Sequence, residues 1–201
     1  MMELSNFIQI LYDLLYHIYQ TINKGEINMS NLNSKNNNNI LVLSSLLAAL
    51  IFITTGYILH IPMGINGGYV HIGDAFIYLS AVILPTPYAM ATAAVGARLA
   101  DISTGSAIWA IPTIIIKPIL VLFFKKGEKI VSKRNIIGSI FAGIIGTVLY
   151  MIAEGVIIGN FWSAFILSTI GMIQPIGSSI VFIILGFAFD KSSILHKYIY
   201  R

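Results

Sequence analysis

The sequence predicts an all-α integral membrane protein, a bundle of six transmembrane helices, on three observations. Of its 201 residues, 57% are hydrophobic and only 10% charged, with mean hydropathy +0.85. Soluble domains carry about 25% charged residues, so a soluble fold would be left with apolar surface it cannot cover. Six apolar stretches of helical length follow one another, at residues 40–60, 73–84, 88–102, 107–124, 136–159 and 161–189. Finally, Lys and Arg are segregated. Lys125, Lys126, Lys129, Lys133 and Arg134 fill the loop between the fourth and fifth stretches, and Lys191, Lys197 and Arg201 follow the sixth. The other connections, apart from the segment before the first stretch, contain none. With six spans, the positive-inside rule then places both termini in the cytoplasm of a multi-pass plasma-membrane protein.

Before the first span, residues 1–23 put Leu4, Phe7, Ile8, Leu11, Leu14, Leu15, Ile18, Tyr19 and Ile22 at three- and four-residue spacing. That is one apolar stripe of an interfacial amphipathic helix. The stretch lacks the basic start and small-residue cleavage site of a signal peptide. Met29 offers an alternative start that would make this leader dispensable. Residues 30–39, SNLNSKNNNN, read as a flexible polar tether. The chain thus divides into a leader and linker (1–39), a membrane domain (40–190) and a basic cytoplasmic tail (191–201).

The first span (40–60) is long enough to cross a bilayer. Ser44 with Ala48, and Ser45 with Ala49, give the four-residue small-residue spacing that admits a close neighbour. Residues 61–72, IPMGINGGYVHI, form a Gly-rich loop suited to acting as a lid over a cavity. The second span opens at Gly73–Asp74, where a carboxylate suits the helix dipole as well as a binding role. Pro85-Thr86-Pro87 makes the turn into the third span, which repeats Ala89, Ala93 and Ala97 and ends with Arg98 and Asp101, spaced to pair with each other; Arg98 with Asp74 is the alternative pairing. In the fourth span Pro112 and Pro118 each remove a backbone donor and favour a bend. Lys117 lies between them, placed either to snorkel or to meet a ligand. Glu154 falls in the last third of the fifth span, and Gln174-Pro175 in the middle of the sixth.

Given this topology, Asp74, Arg98, Asp101, Glu154 and the Gly-rich loop all fall toward the outer face, with Lys117 and Gln174 near mid-membrane. Ionisable groups inside hydrocarbon persist where they face a protein interior or a water-filled cavity. The pattern is that of a polar site under a lid, built to capture a small polar molecule from outside.

At this point the residues resemble a family. The Gly-rich loop, YVHIGDA at 69–75, GARLAD at 96–101 and a Lys in the fourth span resemble the substrate-binding S components of energy-coupling factor (ECF) vitamin transporters, nearest to the riboflavin- and hydroxymethylpyrimidine-type subgroup. The resemblance covers residues 40–190. It implies capture of a small water-soluble vitamin or precursor, hydroxymethylpyrimidine-like or a related heterocycle, for ATP-driven uptake. It also implies two kinds of partner, a transmembrane T component and a pair of ATPase subunits. The family's T-component contacts map onto Ser44, Ser45, Ala48, Ala49, Ala89, Ala93 and Ala97. Its ligand contacts map by position onto Asn66, Tyr69, Lys117, Glu154, Asn160, Trp162 and Gln174. Trp109 joins them, with Tyr69 and Trp162, as an aromatic face for stacking a planar ring.

Other classes fit less well. No Walker A motif, HExxH or GxSxG is present, so the chain carries no sign of being the ATPase or another enzyme. With no Cys and four scattered His, no metal or cofactor site is expected. The basic balance reports topology rather than nucleic acid. The rival reading is a stand-alone secondary carrier for a small polar solute, with Asp74, Arg98, Asp101 and Glu154 as a proton relay.

Overall fold

The computed structural model describes residues 32–58, 60–62, 69–127 and 129–191. The expected leader helix, Asn66 and the tail beyond Lys191 lie outside them. The described residues fall into two units, 32–41 and 42–191. In the first unit, the described residues are the opening turns of a helix.

That helix, α1, runs Leu32–Gly56. It is followed by a short antiparallel pair, β1 (Ile61–Pro62) and β2 (Tyr69–Val70). Then come α2 (Asp74–Ile83), α3 (Thr86–Ser103), a 3-10 turn (Ala107–Trp109), α4 (Ala110–Val121), α5 (Lys133–Ile158), α6 (Phe161–Gly171) and α7 (Ile173–Lys191). Asn38–Gly56, Lys133–Ile158 and Phe161–Lys191 are each long and apolar enough to cross a membrane. With α2, α3 and α4 they make six helical segments of an all-α membrane bundle.

Two boundaries differ from expectation. The Asn-rich stretch is helical from Leu32 onward. Once a helix is nucleated, each added residue closes a bond, and Asn costs only about 0.7 kcal/mol relative to Ala, so an apolar helix can extend through it. The sixth span is interrupted at Met172. Pro175 lacks the N–H that would bond to the Gly171 carbonyl, so the ladder breaks one turn ahead of it.

The helix limits follow local chemistry. Leu84 is extended (ψ 157°) before Pro85, as a residue preceding proline prefers. Pro87 falls in the first turn of α3, and Pro112 in that of α4, where the missing N–H is no loss. Gly105 and Gly159 take φ of +82° and +73° and turn the chain between helices. The Ser132 and Asn160 side chains cap α5 and α6 by accepting from Asn135 N and Ser163 N.

α2 is the centre of the second unit. Nine of its ten residues, Asp74 to Val82, are buried, as expected of a short helix apolar on all sides. It packs against α3, α4 and α7. Tyr78 from α2 stacks on Phe124 and meets Phe182 of α7 edge-on. α3 lies close to α1: a Cβ at Gly96 would stand 2.6 Å from the Ala48 carbonyl oxygen, and the Thr92 hydroxyl donates to the Ser44 carbonyl at 3.4 Å. The expected partner-facing alanines are therefore used internally. Ala89, Ala93 and Ala97 are buried, as is Ser44; Ala48 is half-buried, and Ser45 and Ala49 are exposed.

The basic loop is pinned. Asp190 accepts from Ile130 N and Val131 N at 2.8 and 2.9 Å. The buried Asn135 amide meets Lys125 N, Lys125 O and Ile130 O.

Candidate functional site

The site grows from the start of α2. The Gly73 amide donates to His71 Nδ1 at 3.0 Å, which leaves the proton of the neutral ring on Nε2. One residue on, Asp74 turns its carboxylate inward at the positive end of the helix. Its Oδ1 accepts from Lys117 Nζ of α4 at 2.6 Å, and its Oδ2 from Gln174 Nε2 of α7 at 3.0 Å. Asp74 and Lys117 are only 4% and 3% exposed. Such a pair persists in a low-dielectric interior because each charge is compensated and hydrogen-bonded. Lys117 Nζ also sits 5.1 Å from the centroid of the Tyr150 ring of α5, and the Tyr150 hydroxyl lies 2.9 Å from Thr113 Oγ1.

The β1–β2 hairpin closes one side. Tyr69 OH donates to Asp101 Oδ1 of α3 at 2.5 Å, and the Tyr69 ring lies between His60 and His71 with centroids 4.0 and 5.4 Å away. In this hairpin, burial first and then the Asp101 charge push the Tyr69 hydroxyl pKa up, so it stays a donor. Burial, aided by the Lys117 and His60 charges against Asp74, brings His71 down to about 3.

These groups surround a cavity of about 150 Å³ whose wall combines all seven helices, α1 through Thr55, with the hairpin. Of the residues expected from sequence, Tyr69, Trp109, Lys117, Glu154 and Gln174 line it. Asn160 and Trp162 do not. Asn160 is spent capping α6; Trp162, one turn into that helix, is 79% exposed and meets Phe165 edge-on. Arg98 is exposed, and neither of its expected pairings forms: Asp74 takes Lys117 and Asp101 takes Tyr69. Residues not singled out as ligand contacts also line the wall, among them Thr55, His71, Asp74, Thr113 and Tyr150. A signal for two of them was present, since Thr113 with Lys117 and Tyr150 with Glu154 stand four apart on apolar helices and must share a face. Among the described residues no group of three or more His, Cys, Asp or Glu is arranged to hold a metal.

A buried cavity with an Asp74–Lys117 ion pair in its wall, inside a helical membrane bundle, defines a membrane-embedded binding protein for a small molecule. A family model described as "ECF-type riboflavin transporter, S component" matches residues 35–191. The chain belongs to this family and is an S component, the vitamin-binding subunit of a membrane transporter. No curated protein and no solved structure matches the chain.

Proposed function

We propose that this subunit captures a small water-soluble vitamin or vitamin precursor with a planar heterocycle, hydroxymethylpyrimidine-like, on the outer side of the membrane. It hands the compound on for uptake driven by ATP hydrolysis in two ATPase subunits coupled through a T component. The observation that carries this reading is the Asp74–Lys117–Gln174 cluster facing a cavity bounded by Tyr69, Val70 and His71. A few convergent polar groups in an otherwise apolar pocket fix a ligand's orientation, while Trp109 and Tyr150 supply ring faces. Riboflavin, the compound in the family's description, is the rival ligand. In this reading Tyr69, Trp109, Lys117, Glu154 and Gln174 contact the ligand, both termini lie in the cytoplasm, and Ser45 and Ala49 of α1 remain available to the T component.

Thermal unfolding of the purified chain in detergent against a panel of vitamins and precursors tests this. A ligand at 100 times its Kd stabilises the fold by about 2.7 kcal/mol. A saturable shift with hydroxymethylpyrimidine and none with riboflavin is the expected result; the reverse would replace the ligand, and no shift from any compound would refute vitamin capture. Uptake by the chain alone in proteoliposomes, driven by a proton gradient, would refute the ATP-dependent mechanism in favour of a carrier.

A further inference from the structure

Among the described residues, five buried side-chain polar atoms have no hydrogen-bond partner, and four of them belong to residues of the cavity wall: Thr55 Oγ1, Tyr78 OH, Asp101 Oδ2 and Trp109 Nε1. Buried polar groups are nearly always satisfied, so four such atoms around one cavity indicate what its occupant offers. Two have fixed chemistry. The indole Nε1 only donates, and an ionised carboxylate oxygen only accepts. Asp101 and Trp109 are held close along the chain, because Ser106 N donates to the Asp101 carbonyl and Trp109 N to the Ser106 carbonyl, both at 2.9 Å. Asp101 Oδ1 is already taken by Tyr69 OH, so Oδ2 is the oxygen left for a ligand. The wall as a whole carries three carboxylates, Asp74, Asp101 and Glu154, against one ammonium, Lys117. A dianionic phosphate ester entering it would meet net repulsion in a medium where charges are poorly screened.

We propose that this cavity reads the amine- or imide-bearing edge of an unphosphorylated heterocycle, with Asp101 Oδ2 accepting a ligand N–H and Trp109 Nε1–H donating to a ligand oxygen or ring nitrogen, and that it rejects the phosphate ester of the same compound. The inference rests on the vitamin-capture reading and makes it more specific. It also sets a place in a reaction sequence: a phosphotransfer step that activates this cargo acts after the cargo has crossed the membrane.

Titration calorimetry on the full chain in detergent, with hydroxymethylpyrimidine, riboflavin and the phosphate monoester of each, decides it. The expected result is that one unphosphorylated compound binds and its phosphate binds at least about tenfold more weakly. Asp101→Asn keeps Oδ1 for Tyr69 and makes the other position a donor; it is expected to weaken binding about 10- to 100-fold, and Trp109→Phe about 3- to 10-fold, as for a charged and a neutral hydrogen bond. Binding unchanged in both folded variants, or a phosphate that binds as well as its parent, overturns this inference while leaving vitamin capture standing. Failure of all four compounds to bind the unaltered chain overturns this inference, and overturns vitamin capture as well when the wider panel gives no thermal shift. The phosphate comparison needs no substitution and decides even where Asp101→Asn fails to fold.

Discussion

α7 carries a polar cluster at each end, and the two are built differently. Gln174 in its first turn joins Asp74 and Lys117 in the cavity wall. Asp190 near its last turn, about 24 Å along the helix axis at 1.5 Å per residue, binds the Ile130 and Val131 amides. In the Asp190 cluster the acceptors meet main-chain donors, and the neighbouring Asn135 amide uses both its oxygen and its nitrogen on main chain. Nothing there is left over, and the result is a tied loop. In the cavity, side chain meets side chain across five helices, and several buried polar atoms are left unmatched. Polar groups that close on the backbone hold a fold together. Polar groups that close on each other around a space, and not completely, leave a polar cavity.

The largest break in this contrast comes from Asp74→Ala. It strands the Lys117 ammonium in the interior and is expected to cost about 3–5 kcal/mol, read by thermal unfolding in detergent, with loss of ligand binding. The paired replacement Asp74→Leu with Lys117→Met is expected to recover most of that stability and none of the binding, which separates the pair's two roles. Retained affinity in the paired variant would remove both residues from the site.

Acidification acts next, through His71. The folded-state value of about 3 lies below the ordinary 6.5, so the unfolded chain binds the extra proton between those values. Stability is full above about pH 6.5 and falls as pH drops toward 3. Between pH 7 and pH 5 the loss from this group is about 2 kcal/mol, from 1.36 kcal/mol per pH unit over the 1.5 units below 6.5. Unfolding free energies measured at the two pH values should show a difference that shrinks in His71→Gln; an identical difference in the variant would assign the effect elsewhere.

Asp190→Asn tests the other end of α7. One acceptor oxygen becomes an amide nitrogen, and the loss is expected to be about 1 kcal/mol of stability with ligand affinity unchanged. A change in Kd would mean that the two clusters are coupled along the helix. The smallest effect belongs to Trp162→Ala, where an exposed side chain on α6 should alter stability by no more than about 0.5 kcal/mol and leave binding intact. Weakened binding in that variant would restore Trp162 to the site.

Much of this architecture was legible before any coordinates. Composition and the spacing of apolar runs give the membrane bundle. Lys117, Glu154 and Gln174 stood out because a charge or amide inside an apolar helix is costly and needs a reason. Asp74 is equally conspicuous, but its partner is not legible: sequence spacing offers Arg98 to Asp101 or, as the alternative, to Asp74, whereas α4 supplies Lys117 to Asp74 from 43 residues away. The alanine face of α3 was equally plain as a close-packing surface, but whether it meets α1 or another protein depends on which way the helix is rotated. Asn160 and Trp162 stand off the cavity wall for the same reason.

What the sequence determined by itself is the medium and the parts: an apolar chain that must cross a bilayer, helices ended by Pro, Gly and capping side chains, and a handful of polar residues too expensive to be incidental. Only the tertiary structure decided which of those residues meet. Apolar content and helix limits are set by each residue's own solvation and backbone, which a linear pattern records. The register and rotation of one helix against another are set by how side chains from distant segments fill shared space, and no local pattern carries that information.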